Sequence, residues 1–582
     1  MEIIADLHIH SRYSMATSKL GTPEYLDLWA RKKGISLVGT GDFTHPAWRE
    51  ELKEKLVPAE SGLYRLKDEY VLEEAKLLPG GAPRFVITGE ISSIYKKNGK
   101  CRKVHNVLLL SGLEEADKIA GRLEKIGNIH SDGRPILGLD CHDLLEILLE
   151  NCADGMLVPA HIWTPHFGLF GAASGFDTME ECFEDLTSYV HAVETGLSSD
   201  PPMNWRLSAL DGLQLISNSD AHSPSKLGRE ANLLDIDLSY QGLYGAVQYG
   251  KGLLGTLEFF PEEGKYHYDG HRKCHICLSP EEAEKYHGIC PICGKKLTMG
   301  VNHRIMDLAD RENGFVRKNA RPFESIVPLP EVISACVGKA VTTKTVTGEY
   351  EKMLQKLGNE FDILREIPIA DIEKKSSHMI ASGIQKLRNR EVICKPGFDG
   401  EYGKICLFCG KGWVFFRKKI EECGIRNGKM TENKKIKIGI ISDTHGLLRT
   451  EVLDILQSCD CIFHAGDVDR PEILDAIRSL GALYVVRGNN DGCWAQNLRR
   501  SLNFTVGNVK FFMVHDRKDV AWELGDTQVV IFGHSHQYFA KKIDGRLWLN
   551  PGSCGRSRFG GDVTMAVMIV ENGSWQVEKI MF

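Results

Sequence analysis

His8 and His10, one residue apart in DLHIH, are the first pair in the chain able to share a cation, because side chains two apart on an extended strand face the same way and Asp6 lies in line with them. Alone, an HxH pair is more often a structural or surface feature of a strand than a metal site. Glu90, His105, His161, Asp220 and His222 change the weighing: each sits at or beside the end of a further strand-like run (FVITGE, KVHNVLLL, LVPAH, SNSDAH), and Asp42 does the same in LVGTGD. Glu90 can bridge two cations, with His105 and His161 completing one and Asp220 the other. Imidazole with carboxylate suits zinc, manganese or iron, and Mg²⁺ is a further candidate. Cations so held would lower the pKa of a bound water and make it a nucleophile near neutral pH, with His8, His10, Glu90 and Asp220 as the core of the site.

A second set lies near the other end of the chain, at predicted strand-to-loop boundaries: Asp443-x-His445, Asp467, Asn489-Asn490, His515, and His534-x-His536. Asp443, His445 and His536 can hold one cation and Asn489, His515 and His534 another, with Asp467 between them. A neutral Asn oxygen leaves its ion less compensated and so a stronger Lewis acid.

Between these sets, Cys274-x2-Cys277 and Cys290-x2-Cys293 are separated by twelve residues, a knuckle spacing that predicts a closed structural zinc site of four thiolates, with Gly294 supplying a tight turn. Downstream, Arg304, Arg311, Arg317, Lys318 and Arg321 either contact the phosphates of a nucleic acid or belong to a solvated face interleaved with Asp307, Asp310 and Glu312. Cys406 and Cys409 lack an evident partner pair, although Cys394 and Cys423 could complete a second zinc site.

The elements that must position these groups are strand-like runs alternating with helical stretches such as PEYLDLWARKKG, a pattern that predicts a parallel α/β architecture with its ligands gathered at strand ends. A chain of 582 residues exceeds the roughly 250–300 residues one core can hold, so several domains are expected. The boundaries predicted are a hydrolase barrel over 1–270, the zinc lobe over 271–300, an accessory and possible DNA-binding segment over 301–410, a hydrophilic linker over 411–435, and a second α/β domain over 436–582. A net charge of −6 excludes a uniformly basic coat but leaves room for a local basic groove. The N-terminus lacks a signal-peptide layout and no run approaches the roughly 18 apolar residues of a membrane span, so a cytoplasmic protein without a membrane partner is expected. Its 17 cysteines are then thiols and ligands rather than disulfides.

The order HxH, Glu, His, His, DxH resembles the PHP (polymerase and histidinol phosphatase) superfamily, which implies a distorted seven-stranded (β/α)7 barrel and phosphoester hydrolysis by two or three metal ions. Within it, DLHIHSRYS, SLVGTGDFTHP, PAHIWTP, SNSDAHSP, LGRE and GKYHYDGHRKC resemble endonuclease Q over about residues 1–405. That resemblance implies nicking of damaged DNA on the 5′ side of uracil, hypoxanthine or an abasic site, with the base rotated out of the stack; Trp163, Phe167 and Phe170 are either stacking or core residues. Where many PHP enzymes carry Thr-Asp-His, this chain has Gly41-Asp42-Phe43, with His45 in the following loop. Residues 435–582 resemble the calcineurin-type metallophosphoesterases of the short bacterial and archaeal phosphodiesterase branch. This implies a sandwich of two facing sheets flanked by helices (αββα), acting on a nucleic-acid or nucleotide phosphodiester. Asn490 stands where many relatives have a His that assists the leaving group, which favours diesters with good leaving groups. A small-molecule phosphoesterase pair and a non-enzymatic nucleic-acid scaffold are the competing readings.

Overall fold

The computed structural model describes residues 2–582 apart from 408–434, 479, 481, 496–497, 521–523, 556–561 and 572. It separates into two compact units, Met1–Glu422 and Cys423–Phe582, divided within the stretch not described. Cys409, Cys423 and nearly all of the expected linker therefore lie outside the described residues.

In the first unit the strands Glu2–Asp6, Leu37–Gly39 and Arg84–Lys97 pair in parallel, as the alternation predicts. The rest of the sheet departs from an all-parallel plan. Arg84–Lys97 and Lys100–Leu110 form a long antiparallel hairpin, Lys100–Leu110 runs antiparallel to Met156–Pro159, and Ala231–Asp235 runs antiparallel to both Glu2–Asp6 and Leu253–Glu258. Among the described residues Ala192–Glu194 and Gln214–Ile216 pair only with each other, so strand pairing along the sheet is interrupted. The physical reason is local: Asn98-Gly99, with φ of 53° and 73°, turns the chain back at once where a crossover helix would be needed for parallel pairing.

Helices pack on this sheet through their apolar faces. Pro23–Lys33 begins with Pro at its first turn and stops at Gly34, whose φ of 89° is a left-handed cap; Cys141–Asn151 is capped by Asp140 accepting from the His142 N–H. Residues 329–388 form a helical segment with its own core, including Val332, Val346, Met353 and Ile384.

The second unit holds two five-stranded sheets, Ile436–Ile441 lying centrally in one and Val529–Ile531 in the other. Their shared core contains Ile438, Ile440, Phe463, Phe511, Met513, Ile531 and Leu549. Among the described residues no helix is long and apolar enough to cross a membrane.

Candidate metal centres

Strand Glu2–Asp6 ends two residues before His8, and the following segment is held extended by the Ile9 bridge to Ala221 and the His10 N–H bond to Ala221 O (2.9 Å). Both imidazoles consequently face the same way. His10 Nε2 lies 3.0 Å from Asp220 Oδ1 and 3.3 Å from Glu90 Oε2, while His8 Nε2 lies 3.6 Å from Glu90 Oε1 and 3.7 Å from Asp220 Oδ1. Glu90 Oε1 also meets His105 Nδ1 at 2.7 Å and His161 Nε2 at 3.1 Å. Two ligand groups thus share Glu90: His8, His10, Glu90 and Asp220, and Glu90, His105 and His161.

The atoms facing inward suit cations better than each other. His8 Nε2, His10 Nε2 and Asp220 Oδ1 are buried without a well-formed hydrogen bond, even though two of them are 3.0 Å apart. Buried polar atoms are otherwise nearly always paired, so lone pairs converging on a common point fit a divalent ion. Burial alone would raise Asp220, but the bond from His10 and the charge of His8 hold it below the usual carboxylate range. Burial pushes His105 down to about 4, which keeps it in the neutral form that ligates. His161 and Asp220 adopt φ of 30° and 47°, a backbone strain that recurs at functional sites.

Glu194 was not singled out by the sequence, where HAVETG looks like any other strand end. Its carboxylate accepts from His8 Nδ1 (3.0 Å), the His161 N–H (2.8 Å) and Asn218 Nδ2 (2.9 Å), and so sets the ring orientation of one candidate ligand and the backbone of another. Asp42, expected as a ligand, instead supports one. One oxygen meets His10 Nδ1 at 3.0 Å and the other accepts from Ser11 N, Ser11 Oγ and Ser14 Oγ, which places it outside both ligand groups. His222 is likewise outside them: its ring packs 4.7 Å from His10 and its Nδ1 contacts the Asp220 carbonyl at 2.8 Å. His45 contacts the His130 carbonyl (2.9 Å) and stacks on Tyr13, which makes it a structural loop residue.

Trp163 and Phe170 belong to the core, Trp163 donating to Asn204 Oδ1. Phe167 differs, being half-buried with its ring 4.4 Å from His105. The expected basic interface is mostly turned inward. Arg304 bonds the Phe170 and Phe176 carbonyls, Arg311 pairs with Asp211, Arg317 bonds the Leu210 and Leu213 carbonyls, and Arg321 bonds the Gly250 and Leu253 carbonyls. These guanidiniums strap the 301–325 segment onto residues 170–253 of the same unit, leaving Lys318 exposed.

The cysteine module is also rearranged. Cys274, Cys290 and Cys293 converge, but the fourth member of the group is His271, whose Nδ1 lies 3.5 Å from Cys293 Sγ. Cys277 sits on strand Ile276–Leu278 opposite Gly270, and its thiol lies 3.9 Å from the Pro396 carbonyl. Strand pairing explains the exchange, since adjacent positions of a strand face opposite ways and the Cys277 side chain is carried away from the other three. Cys394 and Cys406 lie on the paired strands Ile393–Lys395 and Lys404–Cys406, one register position apart.

In the second unit Asp443, His445 and His536 form one group and Asp467, His515 and His534 another. His445 Nε2 is 3.3 Å from His536 Nε2 and 3.9 Å from both Asp443 Oδ1 and Asp467 Oδ2. Asn489 Oδ1 lies 3.0 Å from His515 Nε2 and 2.9 Å from His534 Nδ1. Asp443 Oδ1 is buried without a hydrogen bond, again suiting a cation. Burial would lower His515, but Asp467 and Asp443 raise it to about 9, so without a cation the proton takes that place. Asp443, His445, Asp467, His534 and His536 all have positive φ. Asp491 holds their loops together by accepting from the backbone N–H groups of Val468, Asp469 and Gly488. Gly488 is required there because a Cβ would collide with the Asp467 backbone and carboxylate. Asn490, expected near the leaving group, donates its side-chain amide to Asp467 Oδ2 (2.6 Å) and its N–H to Oδ1 (2.8 Å). It therefore orients the carboxylate expected to bridge.

Comparison with known proteins gives a match to the calcineurin-like phosphoesterase superfamily domain over 436–573 and to the MJ0043 C-terminal domain over 328–391. Uncharacterized protein MJ0043 of Methanocaldococcus jannaschii is 33% identical over 251 residues, covering 42% of this chain and 31% of that protein; the chain thus spans about a third of this relative's length. A probable metallophosphoesterase of Methanothermobacter thermautotrophicus is 32% identical over 133 residues, 20% of this chain and 76% of that protein. Among solved structures, the lesion-specific endonuclease PfuEndoQ of Pyrococcus furiosus superposes with a TM-score of 0.62 at 29% identity, over 74% of this chain and 100% of that one. Endonuclease Q in complex with a 27-mer duplex carrying an abasic lesion gives 0.61 at 30% identity, over 70% and 96%. The chain belongs to the endonuclease Q family, joined at its C-terminal end to a calcineurin-like phosphoesterase domain, and is a metal-dependent phosphoester hydrolase.

Proposed function

We propose that the first unit is a DNA repair endonuclease that cleaves the phosphodiester 5′ of deaminated bases or abasic sites, and that the second is a dinuclear phosphodiesterase. The observation that carries this reading is the convergence of His and carboxylate atoms at both places, with His8 Nε2, His10 Nε2, Asp220 Oδ1 and Asp443 Oδ1 buried and hydrogen-bond-deficient. The abasic duplex bound by the solved relative supports damaged DNA as the substrate. In the first unit His8, His10, Asp220, His105 and His161 would hold the cations, with Glu90 shared; in the second Asp443, His445, His536, Asn489, His515 and His534 would do so, with Asp467 shared. Divalent cations bound there supply an activated water and neutralise charge on the phosphoryl oxygens. The chain's own residues do the rest: Glu194 and Asp42 hold the His8 and His10 rings through their Nδ1 atoms, and Asn490 and Asp491 fix the loops of the second centre. Half-buried Phe167 is placed to stack on an extruded base.

The interrupted sheet of residues 1–270 is read as a distorted PHP barrel, residues 271–300 as a zinc lobe held by His271, Cys274, Cys290 and Cys293, 301–410 as an accessory segment, 411–435 as a linker and 436–582 as the phosphoesterase domain, in a cytoplasmic protein. The test is a labelled duplex with one deoxyuridine, incubated with protein and Mn²⁺ or Mg²⁺. A single nick 5′ of the lesion is expected; equal cutting of undamaged duplex removes the repair reading.

A further inference from the structure

We infer that Arg134 is a catalytic residue of the first centre, binding a non-bridging oxygen of the scissile phosphate; this rests on the proposed nicking activity. Residues 132–135 are fastened against the centre at several points. The Gly133 N–H donates to Tyr13 O (3.0 Å), Thr44 Oγ1 donates to Gly133 O (3.0 Å), the Arg134 N–H donates to Asp132 Oδ1 (3.1 Å), and Ser92 N–H donates to Pro135 O (3.0 Å). Ile136–Leu137 then pairs in parallel with Ser92–Ser93, two residues beyond Glu90 on the same strand. The backbone of Arg134 is therefore registered to the shared ligand.

From this position Arg134 Nη1 reaches Glu90 Oε2 at 3.2 Å, and the side chain keeps 23% of its surface exposed. A guanidinium stays protonated in a protein, so Arg134 presents a fixed positive charge beside the candidate ligands. One N–H bonds Glu90, and the others on the fork remain to face a ligand. A structural ion pair would account for the Glu90 bond alone. It does not account for a partly open guanidinium beside Glu90, in a loop held to Tyr13, Thr44 and Ser92. A fixed planar donor there matches phosphate geometry and offsets the charge that builds on its oxygens in the transition state, without reorganising during the reaction.

The test compares full-length wild type with Arg134→Ala and Arg134→Lys on the deoxyuridine duplex and on duplexes with Rp or Sp phosphorothioate at the cleaved position. The expected result is a kcat lower by about 10²–10³-fold in Arg134→Ala, a KM for duplex changed little, only partial recovery in Arg134→Lys, and unchanged metal content by mass spectrometry. The loss should shrink on one phosphorothioate diastereomer, in which sulfur already replaces the oxygen Arg134 holds. Equal loss on phosphate and both phosphorothioates, or loss of bound metal, overturns the assignment. Normal nicking by Arg134→Ala overturns it alone, whereas failure of the wild type to nick overturns the repair reading as well.

Discussion

Replacing Glu194 with Gln tests whether the first centre depends on a carboxylate that touches no substrate. Oε1 faces His8 Nδ1 and Asn218 Nδ2, and Oε2 faces His8 Nδ1 and the His161 N–H. A Gln amide nitrogen must take one of these places, and either way it confronts a donor. An unpaired buried donor costs about 1–3 kcal/mol, and exchanging a charge-assisted bond on His8 for a neutral one removes about 1 kcal/mol more. The part felt by the cations is the loss of ring orientation and basicity at His8, for which changes of supporting residues typically lower metal affinity or activity about 10–100-fold. The assay is nicking rate against free Mn²⁺. Its midpoint should rise by about that factor while kcat at saturating Mn²⁺ stays near wild type, with hydrolysis of bis-p-nitrophenyl phosphate by the second unit as an internal control. A folded Glu194→Gln protein with an unshifted midpoint would refute the reasoning.

Further substitutions separate the two units and probe their stability. Asp220→Asn should lower nicking by at least about 100-fold while sparing bis-p-nitrophenyl phosphate hydrolysis, and Asp443→Asn should do the reverse; joint loss in either variant contradicts independent sites. His271→Ala should lose the zinc that Cys277→Ser retains, as measured by metal content after gel filtration; the opposite pattern restores the site of four thiolates. Burial raises Glu258, which accepts from Ser217, Thr256 and Thr195, to about 7. The folded state thus keeps a proton that the unfolded chain releases above pH 4.5, and stability from this group is lost as pH rises toward 7. Glu258→Gln should therefore raise the stability of the first unit by up to about 3 kcal/mol at pH 8 and little at pH 4.5, seen as a denaturant midpoint shift. An equal shift at both pH values would show that the carboxyl does not titrate this way.

The candidate ligands were legible because His, Asp and Glu repeatedly closed strand-like runs, a coincidence that apolar patterning alone does not produce. His8 and His10 came through even though their strand stops at Asp6, since extended backbone keeps the alternation of faces. What stayed hidden depends on partners distant in sequence. Nothing local distinguishes Glu194 from other strand-end carboxylates, or Arg134 from other loop arginines, until the fold brings each to a ligand. Spacing likewise predicted Cys277 as a thiolate ligand, but spacing carries no information on which way a strand turns its side chains. The arginines of 304–321 show the same limit: sequence reports their charge, while the oxygens that accept their bonds lie more than a hundred residues away for Arg304 and on two separate segments, Gln214 and 250–253, for Arg321. The hairpin 84–110 also escaped the parallel pattern, because Asn98-Gly99 sets strand direction where apolar periodicity does not.

The most direct test of the central claim is an anomalous-difference map from crystals of the full chain grown with Mn²⁺. The account predicts peaks enclosed by His8, His10, Glu90 and Asp220, by Glu90, His105 and His161, and by the Asp443 and Asp467 groups of the second unit. A map in which well-ordered side chains at either place enclose no peak would contradict it.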